Sequence, residues 1–253
     1  MASIATASTR QFQIAETPIF IELSGQDLEM TEKIEKIAKK FTSCLGLEDT
    51  NLMITSTISG TFFSSSFSTI NIPASIFSEE TRINIDRPIL ARFKLDTDEE
   101  TLTSLIKAAN SMRELFSSLS LNELEYIIGH EIGHYWLEKN FAAFTSTCMK
   151  VCENFVTETK HDRKLEKICD FIGAKLSSPE AGMTSMMKSS KITPDPSEID
   201  SHPKYSERIT YLASWISDPR LNQILSKELA ADIGGDVFRE AVPIYIKHGI
   251  HRD

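Results

Sequence analysis

Two histidines one helical turn apart, inside an otherwise apolar stretch, constrain this chain more than any other feature. The stretch is LNELEYIIGHEIGHYWLEK, residues 121–139, with His130-Glu131-Ile132-Gly133-His134 at its centre. Residues i and i+4 share one face of an α-helix, so both imidazoles can bind a single ion. Glu131 is adjacent to the first of them and can reach a water held there. Zinc lowers the pKa of such a water, and a nearby carboxylate can take its proton as it attacks a carbonyl. Leu121, Leu124, Ile127, Ile128, Ile132 and Leu137 supply apolar faces that would bury the helix. Gly133, a poor helix former, is expected to leave room between the histidines. The bland reading, two polar-surface or core histidines, fits poorly: the chain has six histidines in 253 residues, and a glutamate stands where the chemistry needs one. One zinc per chain is expected, with His130 and His134 as ligands and Glu131 as the base.

A hydrolytic zinc site takes a third protein ligand and leaves a position for water. A metzincin would place Gly three residues and His six residues beyond His134, where Leu137 and Asn140 stand instead. The remaining option is a glutamate on a later helix: Glu153, Glu158 or Glu166. Glu166 is favoured. Asp170 lies four residues on, on the same helical face, and can accept the free ring N–H of a zinc histidine. Leu165, Ile168, Ile172 and Leu176 form an apolar stripe, and Gly173 would permit close helix packing. Glu153 has Thr157 at the corresponding place, and Glu158 sits in the polar, turn-like TETKHD.

The rest of the chain bounds what surrounds such a site. With 41% hydrophobic and 25% charged residues, it can bury a sizeable core. We expect an N-terminal extension over residues 1–24 and a single catalytic domain over 25–253. A net charge of -9 argues against a nucleic-acid partner, which attracts basic patches. No segment approaches the roughly 20 apolar residues of a membrane helix, and no signal peptide is visible at the N-terminus. Cys44, Cys148, Cys152 and Cys169 form no regular disulfide framework. A soluble, cytoplasmic protein is expected, taken as a monomer. Strands are predicted over 14–23 (interrupted by Pro18), 52–63, 66–73, 82–86 and 89–95. Helices are predicted over 28–45, 98–118, 121–139, 141–158, 162–176, 179–190, 204–217 and 219–240, with a proline-rich loop over 191–203. This order predicts an α+β fold, a small and mostly antiparallel sheet packed with a helical catalytic core.

Four segments, in order, resemble the HtpX-like and CAAX prenyl-protease zinc peptidases, the forty-eighth metallopeptidase family. LNELEYIIGHEIGH is similar to that family's ELxxVxxHExxH helix, and EKICDFIGAKL to its glutamate-bearing helix. PEAGMTSMMKSS is similar to the AG-containing helix that follows, and SHPKYSERITYL to its HPxxxxRI segment. The likeness covers residues 66–217, with STINIPASIF weakly similar to the strand before the metal helix. It implies a helical zincin core of the gluzincin type and a zinc-dependent endopeptidase acting on protein or peptide. It also implies zinc ligands His130, His134 and Glu166, a catalytic Glu131, and a His202 and Arg208 that approach the active site. Donors arriving there from a later loop would stabilise a developing oxyanion; the plainer roles are a helix cap and a surface ion pair. The chain departs from the family in lacking transmembrane helices, in Cys169 where Ala is usual, and in a short gap between His134 and Glu166. Two other readings stay open. A regulatory, repressor-cleaving type of metalloprotease also has HExGH followed by a glutamate helix, but leaves SHPKYSER unexplained. A non-catalytic zinc-binding interaction protein would leave Glu131 without a purpose, since a structural site usually has four protein ligands and needs no base.

Overall fold

Strands dominate the first part of the chain and helices the second, and the two parts form separate compact units. The computed structural model describes residues 8–14, 17–45, 47, 51–55, 63–65, 69–73, 76–78, 80–81, 84, 111, 113–144, 161–192 and 202–217. One unit comprises Met1–Ile37 with Asn51–Ser118, the other Ala38–Thr50 with Leu119–Asp253. The described residues are mainly helical.

In the first unit, strands β1 (Ser8–Ile14), β2 (Thr17–Leu23), β3 (Asn51–Thr55), β4 (Phe63–Ser65) and β5 (Thr69–Pro73) form a sheet in the order β2-β1-β3-β5-β4. The outer pairs are antiparallel: Ser8 faces Leu23 and Ile14 faces Thr17 in one, Phe63 faces Asn71 in the other. The inner pairs, β1 with β3 and β3 with β5, are parallel. The sheet is therefore mixed, and the mostly antiparallel sheet expected from the sequence is not found. Parallel neighbours need a long connection, and helix α1 (Gly25–Cys44) lies in the chain between β2 and β3. Residues 8–23 supply two strands of this sheet. β2 is an edge strand, a position that tolerates Pro18.

Gly25 opens α1 at φ 53, a backbone conformation favourable only to glycine. Leu28, Ile34, Ile37, Ala38 and Phe41 are buried at helical spacing along it. Asp27, buried in its first turn, accepts hydrogen bonds from the Ser78 amide (2.8 Å), the Thr81 hydroxyl (2.7 Å) and the Ser78 hydroxyl. That carboxylate ties Ser78 and Thr81 to the start of α1.

The second unit holds α2 (Leu121–Phe144), α3 (His161–Leu176), α4 (Pro179–Ser189) and α5 (Tyr205–Ser217). α2 starts at a capping box. The Ser120 amide donates to Glu123 Oε2 at 2.6 Å, and the Glu123 amide donates to Ser120 Oγ at 3.3 Å. Lys188 Nζ of α4 reaches the same carboxylate at 2.7 Å. Burial works against the Glu123 charge, but Lys188 and Ser120 outweigh it and lower its pKa. From Glu123 to Leu137 α2 is buried on nearly every side, as an all-round apolar helix must be. It packs on α3 and α4; α4 packs on α5, and α3 touches both α4 and α5. Ser178 caps α4 by accepting from the Ala181 amide at 3.1 Å, with Pro179 at the first helical position.

α2 and α3 meet backbone to backbone. A Cβ on Gly129 would lie 3.1 Å from Gly173 Cα, and one on Gly133 would lie 3.2 Å from Cys169 Cα. A Cβ on Gly173 would lie 2.8 Å from the Tyr126 carbonyl oxygen and 3.0 Å from the His130 amide nitrogen. The space expected at Gly133 between the histidines is instead space for α3.

No helix among the described residues is long and apolar enough to cross a membrane. Cys44 and the buried Cys169 are free thiols. The expected strand 89–95, residues 145–158 with Cys148, Cys152, Glu153 and Glu158, and the expected helix 219–240 lie outside the described residues. So do most of the expected elements 82–86, 98–118 and 191–203, of which residues 84, 111 and 113–118 are helical and 191–192 form a turn.

Gly173→Ala tests the helix contact. Alanine improves helix propensity by up to about 1 kcal/mol, but the new methyl group meets backbone, and overpacking of this kind costs about 1–3 kcal/mol. Urea unfolding should show a net loss of stability. A more stable variant would mean that the two helices are not in backbone contact.

Candidate metal centre

The face that α2 turns to α3 carries His130 and His134, and the face that α3 returns carries Glu166 and Asp170. His130 Nε2 lies 3.1 Å from His134 Nε2 and 3.3 Å from Glu166 Oε2. His134 Nε2 lies 3.4 Å from Glu166 Oε1. His202, just before α5, brings its Nε2 to 3.2 Å from Glu166 Oε2. Ligand atoms about 2.0–2.2 Å from one tetrahedral ion stand about 3.3–3.6 Å apart, so these separations are close to the edges of such a shell. His130, Glu166 and His202 offer ligand atoms that all lie within 4.8 Å of one another, a group that can hold a metal ion.

The chemistry of the donor set fits a cation. Glu166 Oε2 is buried and no donor is aligned on it, although nitrogens of His130 and His202 stand close by. An anionic oxygen of this kind is costly to bury unpaired, and a metal ion satisfies it. Glu131, next along α2, is buried too. Glu166, Asp170 and Arg208 are buried with it.

Asp170 is fully buried and ringed by donors. Arg208 Nε donates to Oδ2 at 2.8 Å, and Arg208 Nη2 donates to Oδ1. Tyr126 donates to Oδ1 at 2.7 Å, and the Tyr211 hydroxyl to Oδ2. His130 Nδ1 lies 2.9 Å from Oδ1, an ion-pair contact whose N–H is not aligned for a straight hydrogen bond. Burial disfavours the Asp170 charge, yet Arg208 and His130 hold its pKa far below the usual carboxylate range. Burial likewise opposes the Arg208 charge, and Asp170 more than restores it. Arg208, expected near a developing oxyanion, spends its described hydrogen bonds on Asp170.

The two α2 histidines titrate in opposite directions. Burial alone would lower the pKa of His130, but the Asp170 and Glu166 carboxylates raise it to about 10. Burial and the charge on His130 push His134 down to about 4. Burial raises the pKa of Glu166 less than the surrounding histidines lower it. His202 is lowered, chiefly by burial. A proton held this tightly at His130 occupies a field in which a metal cation would also be favoured.

Tyr126 and Tyr211 were not singled out by sequence reasoning, and Gly182 only as part of the AG-containing segment. Tyr126 stands one turn before His130, and Tyr211 three residues after Arg208, so helical periodicity places each beside a residue already suspected. No family model, curated protein or solved structure matches the chain.

The opposed shifts give the chelator-treated protein a pH signature. The raised His130 pKa contributes stability that is complete below about 6.5, the unperturbed value, and is lost as pH rises towards about 10. The lowered His134 pKa contributes stability that is complete above about 6.5 and is lost as pH falls towards about 4. Melting temperature against pH, measured with chelator present, should peak near the ordinary histidine pKa. A flat profile from pH 4.5 to 9 would show that the two rings do not share this environment.

Proposed function

We propose that this chain is a zinc-dependent endopeptidase, with one zinc ion held by His130, His134 and Glu166. The observation that carries the reading is the convergence of His130, His134 and Glu166, with ligand atoms 3.1–3.4 Å apart, and a buried Glu131 adjoining the first ligand. Zinc in such a site acts as a Lewis acid and lowers the pKa of bound water to about 7. Glu131 is the group that takes a proton from the attacking water. Asp170 keeps the Nδ1 proton of His130 in place, and Arg208 keeps Asp170 ionised. His202, with a side chain 46% exposed, stands where it can donate to a substrate carbonyl entering from solvent. The resemblance to the HtpX-like and CAAX prenyl-protease peptidases belongs to the same proposal and names protein or peptide as the substrate class.

One observation favours a second reading. His202 Nε2 lies as close to Glu166 as the α2 histidines do. A fourth protein ligand would close the shell, as in a structural zinc site, and the protein would then be a non-catalytic zinc-binding interaction protein.

Two substitutions test the site, and turnover separates the readings. Glu131→Gln keeps the shape of the side chain and removes the base. It should retain zinc and fold but lose about 10²–10⁴-fold in kcat on a quenched peptide. Glu166→Gln should instead lose zinc on dialysis. Wild-type protein that holds stoichiometric zinc yet cleaves nothing in a random peptide pool would establish the non-catalytic reading.

A further inference from the structure

We propose that Tyr126 is a positioning residue of the metal centre: its hydroxyl, seated by Gly182, donates to the Asp170 oxygen that faces His130, and so determines which ring nitrogen His130 turns to the metal. The inference rests on the zinc reading above.

Tyr126 is 2% exposed and lies one helical turn before His130. Its hydroxyl is 2.7 Å from Asp170 Oδ1, the oxygen that lies 2.9 Å from His130 Nδ1. Arg208 Nη2 donates to this same oxygen, while Arg208 Nε and Tyr211 occupy Oδ2. Donors on both oxygens of a planar group prevent its rotation. Oδ1 is thereby held, as an anion, against the Nδ1 edge of the His130 ring. In the neutral ring that a metal ion would require, the contact with Oδ1 favours the tautomer with its proton on Nδ1 and its lone pair on Nε2, the nitrogen 3.3 Å from Glu166 Oε2.

The depth of the phenol is set from a third helix. A Cβ on Gly182 of α4 would lie 2.5 Å from Tyr126 Cε2 and 2.8 Å from Cζ, so any side chain at 182 displaces the ring. Burial and the nearby Asp170 charge raise the phenol pKa well above its ordinary value. Tyr126 is therefore a protonated donor around neutral pH. Gly182, Tyr126, Asp170 and His130 form one mechanical chain from α4 to the metal face of α2.

Tyr126→Phe keeps the ring against Gly182 and removes only the donor. Two readouts are needed: the zinc dissociation constant, by competition with a chromophoric chelator, and solvent exchange of the His130 Nδ1 proton in ¹⁵N-histidine-labelled, metal-free protein. The expected result is a loss of about 10–100-fold in zinc affinity and a faster-exchanging Nδ1 proton. Gly182→Ala moves the hydroxyl without deleting it, and its effect on affinity should largely vanish in the Tyr126→Phe background. Ser177→Ala, which deletes a hydrogen bond to the Asn122 carbonyl, should leave the zinc affinity unchanged. A tyrosine that merely supports the fold would lower the melting temperature and leave both readouts at wild-type values, overturning the proposal. Wild-type protein that takes up no zinc would overturn the metal reading itself; zinc-binding wild type with an indistinguishable Tyr126→Phe overturns only the positioning role.

Discussion

The backbone contact between α2 and α3 sets how close Glu166 and Asp170 stand to His130 and His134 in the candidate metal centre. Its residues share one stripe on each helix. On α2 the stripe reads Tyr126, Gly129, His130, Gly133 and His134; on α3 it reads Glu166, Cys169, Asp170 and Gly173. Steps of three and four place each set on a single face. Glycine or cysteine alternates with the functional side chains along both. The small residues let the backbones touch, and the larger ones fill the space left at that separation. A longer side chain at Gly129, Gly133 or Gly173 would part the helices and withdraw Glu166 from the histidines.

Electrostatics then act on groups that packing has already brought together. Asp170 has no solvent exposure, so protein donors must replace its lost hydration. Arg208, Tyr126 and Tyr211 do so from α5 and α2. The charge they preserve acts on His130, whose affinity for a proton rises while that of His134 falls. One ring carries the positive charge that the carboxylates demand, and its neighbour, 3.1 Å away, is kept neutral. A cation bound at this cluster would answer that demand with both rings neutral. This is the physical case for a metal, and it depends on the donor set alone.

Helical periodicity made the described helices of the second unit legible from sequence. Helices expected over 162–176, 179–190 and 204–217 are found at His161–Leu176, Pro179–Ser189 and Tyr205–Ser217. The helix expected over 121–139 runs on without a break to Phe144. Strand direction was not legible, because alternation marks a strand but not its partner, and the inner pairs proved parallel. Local reasoning also misassigned the space at Gly133, which belongs to a helix more than thirty residues away. Arg208 was expected to approach the site, either as an oxyanion donor or in a surface ion pair; it lies there in a buried pair with Asp170, 38 residues earlier, a partner that spacing does not reveal. Tyr126 was passed over for a different reason: periodicity places it one turn before His130, but among apolar neighbours a tyrosine reads as core, and its role shows in the position of its hydroxyl.

The central claim is that His130, His134 and Glu166 hold one zinc ion. Zinc K-edge X-ray absorption on the purified, dialysed protein addresses it most directly. The account predicts stoichiometric zinc with only nitrogen and oxygen neighbours at about 2.0–2.2 Å, together with the outer-shell scattering of imidazole rings. Absence of zinc, or a sulfur neighbour at about 2.3 Å, would contradict it.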